Sequence, residues 1–412
     1  MLKKLITLCA FQLLTSPAFA SEQTIAQKQS AAQQGEIKIL TEHIPVIDVQ
    51  KIILDYVGNE YLPTKFDQVK KISATAQSSN GKYLMIASRI TEDISNKTLL
   101  NKLPQDTAKV WKFDNGKYVL IGDIVFPITA YENGAAAISD DGKYIAMSAR
   151  HGNIHIGQLE NGEYIEKQIV RTPEKPRGLQ FFENHNYLGF GTSSARINVL
   201  KLSQIDRFNP KQIFGEKFVS DFAAFSSDGT YVVSGDDQAI QLWKTSDGEF
   251  TPINKREIGS YSYPIAISHD NKYVVAATND FAEIFRLQDD KLEPIQKMEF
   301  GPRAQSITFS PDNTHLALAT YDSKKPWQAL IIIMKFNQKS QKYEQIATLP
   351  HEDFYRDPYQ LIGFAPDNSV ITANFGNEIT LWENQKEQLE RDAGEKIKSA
   401  VEQEQTVVTE VD

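Results

Sequence analysis

Cysteine is all but missing from this sequence. Its single copy, Cys9, lies close to the N-terminus. A disulfide framework is therefore excluded, and beyond residue 9 so are a thiolate nucleophile and a cysteine metal site. So few thiols suit an oxidising compartment, where a stray thiol is a liability. An excess of basic charge is missing too: Lys and Arg number 44 against 53 Asp and Glu, a formal net charge of −9. Nucleic-acid phosphates would be repelled, so nucleic acid is not expected as a partner. Long apolar runs are lacking apart from residues 5–14, which have about half the length a bilayer span requires. No membrane span is expected in the mature chain. Helical periodicity is almost absent between residues 72 and 383, which excludes an α/β reading.

The two ends stand apart from the rest. Lys3 and Lys4 make a basic start, an apolar stretch follows, and Ala18-Phe19-Ala20 supplies small residues before Ser21. This three-part pattern is that of a secretory signal over residues 1–20, with cleavage expected after Ala20 and a periplasmic location for the product. Residues 21–36, rich in Gln, Ala and Ser, read as a polar linker. Residues 384–412 read as a polar tail, helical at first and then disordered. There Leu389, Ala393, Ile397 and Val401 form a thin stripe, and Glu387–Arg391 and Asp392–Lys396 are i,i+4 pairs.

Between the ends the sequence repeats. Seven segments run from an alternating small or apolar strand, through a turn of Asp, Asn, Ser and Gly, into a strand led by an aromatic or aliphatic residue. The turns are Asn80-Gly81, Asp141-Gly142, Glu183-Asn184, Asp228-Gly229, Asp270-Asn271, Asp312-Asn313 and Asp367-Asn368. Most steps between them are about 42–45 residues, the first and last being longer. A period near 40–45 with four strands per unit is a β-propeller signature. Asn-Gly and Asp-Gly readily take the positive φ that tight hairpins need. A third strand, as in Ile240-Gln241-Leu242-Trp243 and Ile379-Thr380-Leu381-Trp382, precedes a second set of turns: Asn115-Gly116, Asn161-Gly162, Asp247-Gly248 and Asp289-Asp290. The expected fold is all-β, a seven-bladed propeller of four-stranded antiparallel blades over residues 37–383, with repeats from about residue 72.

In these residues the chain resembles the WD40-repeat family, as an exported bacterial member. Phe225-Ser226-Ser227-Asp228-Gly229, Ser234-Gly235 and Ile240-Gln241-Leu242-Trp243 match one repeat closely. Phe309-Ser310-Pro311-Asp312-Asn313 and Phe364-Ala365-Pro366-Asp367-Asn368 match its first strand and turn. The departures are informative. No blade has the Gly-His pair, and the Trp-Asp ending becomes Trp111-Lys112, Trp243-Lys244 and Trp382-Glu383. Only Asp237 stands where the family places its strand-linking aspartate. Packing between blades is therefore expected to replace most of the family's buried hydrogen-bond network.

A ring must also close. The last repeat lacks a fourth strand of its own, while Ile52–Tyr56 and Tyr61–Lys65 have strand composition ahead of the first repeat. One of them is expected to complete the last blade and cover its edge.

Chemistry is sparse. Of the 7 histidines only His151 and His155 are close, and a surface pair on a third strand is the expected reading over a metal pair. Asp140-Asp141, Asp236-Asp237 and Asp289-Asp290 sit in turns, where Asp is expected on backbone grounds rather than for calcium. No cofactor, metal or catalytic residue is assigned. Arg177 and Arg303 each follow a proline just before a first strand, which sets them near one mouth of the channel as candidate anion ligands. The residues between strands in the first, sixth and seventh blades carry Trp327, Phe354, Tyr355, Arg356 and Tyr359, the expected partner-binding patch. The resemblance implies a binding scaffold for protein partners, expected to be a monomer. A lactonase-like hydrolase with its site at the channel mouth is the alternative.

Overall fold

The structure is a computed structural model. It describes residues 61–384 except 67–71, 90–105, 127–133, 150–151, 173–174, 183–185, 193–196, 203–210, 214–222, 237, 247–248, 260–263, 301–303, 322–328, 352–361 and 376–377. All of these fall in one of the two units into which the chain divides, Tyr61–Asn384. The expected signal segment, the linker and the helical tail lie outside the described residues.

Turn chemistry cuts this unit into strands. First in the chain comes β1 (Tyr61–Phe66). Blade 1 holds β2 (Ile72–Gln77), β3 (Tyr83–Arg89), β4 (Asp106–Asp114) and β5 (Lys117–Phe126). Blade 2 holds β6 (Ala136–Ile138), β7 (Tyr144–Ser148), β8 (Ile154–Glu160) and β9 (Glu163–Val170). Blade 3 holds β10 (Pro176–Phe182), β11 (Tyr187–Thr192), β12 (Ile197–Lys201) and β13 (Lys211–Ile213). Blade 4 holds β14 (Ala223–Phe225), β15 (Tyr231–Gly235), β16 (Ala239–Ser246) and β17 (Glu249–Glu257). Blade 5 holds β18 (Ile265–Ile267), β19 (Tyr273–Ala277), β20 (Phe281–Gln288) and β21 (Lys291–Glu299). Blade 6 holds β22 (Ser306–Phe309), β23 (His315–Tyr321), β24 (Ala329–Asn337) and β25 (Lys342–His351). Blade 7 takes β26 (Ile362–Phe364), β27 (Val370–Phe375) and β28 (Glu378–Asn384), with β1 in the outermost place, Tyr61 facing Asn384 and Phe66 facing Ile379. Each sheet has 4 strands, and every pairing is antiparallel between sequence neighbours except β1 with β28. This is a seven-bladed propeller.

Side-chain choice follows position in the blade. Second strands are packed on both faces and read as small apolar runs: Ile145-Ala146-Met147 and Val274-Val275-Ala276-Ala277 are all buried. Outer strands are covered on one face and alternate instead, as in β5. A separate buried cluster fills each blade-to-blade boundary. At the junction of blades 7 and 1, Leu84, Ile86 and Trp111 pack with Val370, Ile379 and Leu381. Each fully buried Leu or Ile contributes about 1.5–3 kcal/mol, so this junction is held as the other six are. Gln77 spans it too, its amide N–H bonding the Phe364 carbonyl at 2.9 Å and its oxygen accepting from Thr372 Oγ1 at 3.0 Å. Gly81 (φ 71°) lies so close to the Phe364 carbonyl that a Cβ there would collide with it.

Candidate functional site

The turn between the first and second strand of a blade is built from one short sequence. In Ser78-Ser79-Asn80-Gly81, Ser139-Asp140-Asp141-Gly142, Ser226-Ser227-Asp228-Gly229, Ser268-His269-Asp270-Asn271 and Ser310-Pro311-Asp312-Asn313, the last residue takes φ between 58° and 76° and its N–H returns to the serine carbonyl at 2.9–3.0 Å. The serine hydroxyl donates to the Asn or Asp side chain at 2.6–2.8 Å. It also accepts the N–H of Tyr83, Tyr144, Tyr231, Tyr273 or His315 at 2.8–2.9 Å. The carboxylates work as acceptors here. Burial raises the Asp312 pKa, but bonds from Ser310, Thr314 and Asn368 outweigh it and hold the group at about 2. Burial likewise opposes, and hydrogen bonds overcome, the lowering at Asp228 and Asp270. At Ala365-Pro366-Asp367-Asn368 the serine is missing, and the Ser369 hydroxyl bonds Asp367 instead.

Neighbouring turns are linked into a partial collar, between blades 1 and 2 and along blades 4 to 7. Ser79 Oγ and the Asn80 N–H donate to the Asp140 carboxylate at 2.7 and 2.9 Å, joining blades 1 and 2. Asn271 Nδ2 reaches Asp228 at 2.7 Å, and Asn368 Nδ2 reaches Asp312 at 2.8 Å. The His269 N–H donates to Asn313 Oδ1 at 2.6 Å. The corresponding donor for Asn368 Oδ1 would be residue 311, a proline with no N–H, and that oxygen is left buried without a partner. The His269 ring also bonds the Ser79 carbonyl through Nε2. Since His269 belongs to blade 5 and Ser79 to blade 1, this side chain crosses the channel at the collar. The turns between third and fourth strands lie on the same face of the disc, with Asn115-Gly116, Asn161-Gly162 and Asp289-Asp290 all at positive φ. Asp290 accepts from Tyr231 at 2.7 Å and pairs with Lys244 at 2.7 Å, tying blade 5 to blade 4.

Comparison with known proteins agrees with this architecture. The family model "WD domain, G-beta repeat" matches residues 208–244, which span the outer strand of blade 3 and the first three strands of blade 4. Among solved structures, a chain from "Crystal Structure of Mitotic Checkpoint Complex" superposes with a TM-score of 0.57 at 13% identity, covering 79% of this chain and 92% of that one. The chain is a β-propeller, similar to the WD40 family in the repeat over residues 208–244. Solved chains that match number 1627, so the likeness concerns the fold and selects no partner. No curated protein matches the sequence.

Blade 4, the blade similar to a WD40 repeat, keeps part of a buried polar network: Trp243 Nε1 donates to Ser234 Oγ at 2.9 Å. The carboxylate that orders the next turn is Asp236, which accepts the N–H groups of Gln238 and Ala239; Asp237, the expected strand linker, lies outside the described residues. His155 departs from the expected surface pair. It is buried, with Nδ1 2.6 Å from Glu166 Oε2, because β8 is a third strand covered by its neighbours, and His151 lies outside the described residues. Among the described residues no three His, Cys, Asp or Glu side chains form an arrangement that could hold a metal ion. No described helix is long and apolar enough to cross a membrane. Trp327, Phe354, Tyr355, Arg356, Tyr359 and Arg303 all lie outside the described residues, as does the side chain of Arg177. The Arg177 backbone faces Gly191 at the start of β10, at the end of blade 3 away from the collar. Sequence reasoning missed His269, whose reach across the channel depends on which blades the ring brings opposite one another.

Proposed function

We propose that this WD40-type propeller is an exported interaction scaffold of the periplasm, its ring shut by β1. The observation that carries the reading is the contrast between the two faces of the disc. One face is a hydrogen-bonded collar of short turns, spanned by His269. The opposite ends of the blades bound the intervals 90–105, 322–328 and 352–361, between β3 and β4, β23 and β24, and β25 and β26. Those strands belong to blades 1, 6 and 7, which are consecutive in the ring. Trp327, Phe354, Tyr355, Arg356 and Tyr359 come from two of these intervals, and aromatic and Arg side chains dominate interface hot spots. Loops on a rigid scaffold are where binding residues concentrate. Arg177 and Arg303 near the channel mouth would add a charge-assisted grip on a carboxylate of the partner. The solved propeller that this chain resembles was crystallised in a complex, which is in keeping with such a role.

The test uses the secreted product as bait in a periplasmic extract. Its intact mass should correspond to a chain beginning at Ser21. Replacing Trp327, Tyr355 and Arg356 together with Ala should abolish capture, with about 2 kcal/mol or more lost at a hot spot, while the melting temperature holds. Retained capture with a much lower melting temperature would show those residues to be structural and overturn the assignment.

A further inference from the structure

The rim of the disc is a ring of strand edges, and among those whose side chains are described one stands out. In blades 1, 2, 4, 5 and 6 the outer strand bulges at one register position. Just before the bulge, Pro252 of β17 faces Trp243 and Pro294 of β21 faces Phe285. In the unbulged β1, Pro63 faces Trp382. Proline fits a ladder only where its nitrogen points away from the partner strand. An ordinary residue at this position therefore aims its N–H outward, at the rim, and proline removes that donor. Such a change blocks edge-to-edge pairing. Glu166 and Gln345 fill the position in β9 and β25.

In β5 the position belongs to Leu120, facing Trp111. Leu120 keeps its outward N–H, and its side chain is 49% exposed. Val119, Ile121 and Val125 of the same strand are 39–53% exposed, and Ile165 and Ile169 of β9 continue the strip. These six are the exposed large hydrophobics among the described residues. Where β5 has Val119 and Val125, β21 has Glu293 and Glu299.

The strand is also complementary to itself. Two copies set antiparallel about Leu120 meet in a ladder that the bulge at Ile121 confines to the Leu120 pair; on either side the side chains carry the contact, Lys117 of each lying toward Asp123 of the other and Val119 toward Ile121. The same apposition about Pro294 in β21 would set Lys291 against Lys297, a like-charge clash. We propose that the edge of β5, widened by Ile165 and Ile169, is a homotypic interface through which two copies of this chain pair edge to edge, in place of the monomer expected from sequence. The contact is two-fold, so each copy offers the same surface.

Sedimentation velocity on the full chain between about 1 and 100 µM tests this. The expected result is a concentration-dependent dimer. Leu120→Pro should leave a monomer that melts as the wild type does, since proline is already accommodated at this position in three other blades. Lys117→Asp and Asp123→Lys should each weaken association by about tenfold. An equimolar mixture of those two variants should recover the dimer, because each restores the other's opposite charge. A wild type that stays monomeric throughout overturns the proposal. So does a dimer that ignores both charge variants, and this arm stands even if Leu120→Pro fails to fold.

Discussion

At the collar, five turns in five blades repeat one set of bonds: serine hydroxyl to Asp or Asn, and the N–H five residues on back to the serine. At the rim, five bulges at one register position carry Leu120, Glu166, Pro252, Pro294 and Gln345. The backbone geometry is as regular at the rim as at the collar, yet only two of the five side chains, Pro252 and Pro294, are alike. The difference lies in what each position touches. A collar residue meets its own turn and often the next blade's turn, so a change there strands a donor or acceptor. A rim residue meets solvent or a partner, and the ring places no demand on it beyond an edge that does not pair by accident. Framework is written where blades touch, and individuality where they do not.

The strongest challenge to this division is removal of residues 37–66, which strips β1 from β28. Blade 7 would lose its outer strand, and the edge of β28 would be left unpaired. A fall of about 10 °C or more in melting temperature is expected. An unchanged melting temperature would show that closure rests on the buried cluster between blades 7 and 1 alone.

Next in size is a pH effect at the collar. His315 occupies the place held by Tyr83, Tyr144, Tyr231 and Tyr273 in other turns. Burial, with Lys335 nearby, lowers its pKa to about 4, though Asp312 pulls the other way. The unfolded chain therefore takes up a proton before the folded one does. The stability contributed by neutral His315 is full above pH 6.5 and declines as pH falls to about 4, by up to about 3 kcal/mol. Chemical denaturation across that window should show the slope, and His315→Tyr should flatten it. An equal slope in the variant would move the effect elsewhere. Asp312, held at about 2, adds its own loss only at lower pH.

Smaller single changes sharpen the contrast further. Ser226→Ala leaves the N–H of half-buried Tyr231 without its acceptor and should cost about 1–2 kcal/mol. Glu293→Ala at the rim should stay within about 0.5 kcal/mol. Similar costs at the two positions would erase the distinction between collar and rim.

Much of this was legible in the sequence, because the collar is written in local chemistry. Asp141-Gly142 or Asp270-Asn271 specifies a positive φ wherever it occurs, and repetition at blade period counts the blades. Strand ends were less legible. β14 and β18 have only three residues each, and their extents follow from neighbouring blades rather than from propensity. The reach of His269 to Ser79 was hidden because it joins distant repeats, and the burial of His155 because it depends on the packing around β8. The open edge of β5 was written in plain view. Aligned by register, Val119-Leu120-Ile121 stands where β17 has Thr251-Pro252-Ile253 and β21 has Glu293-Pro294-Ile295. A search for what outer strands lack would have found it.

Residue-resolved hydrogen exchange on the full chain, at a low and a high protein concentration, tests the division of framework from surface most directly. Amides of the first and second strands should be protected equally at both concentrations. The Leu120 amide, exposed when dilute, should gain protection when concentrated, while β17 and β21 do not change. A β5 edge indifferent to concentration, or equal gains in β17 and β21, would contradict the account.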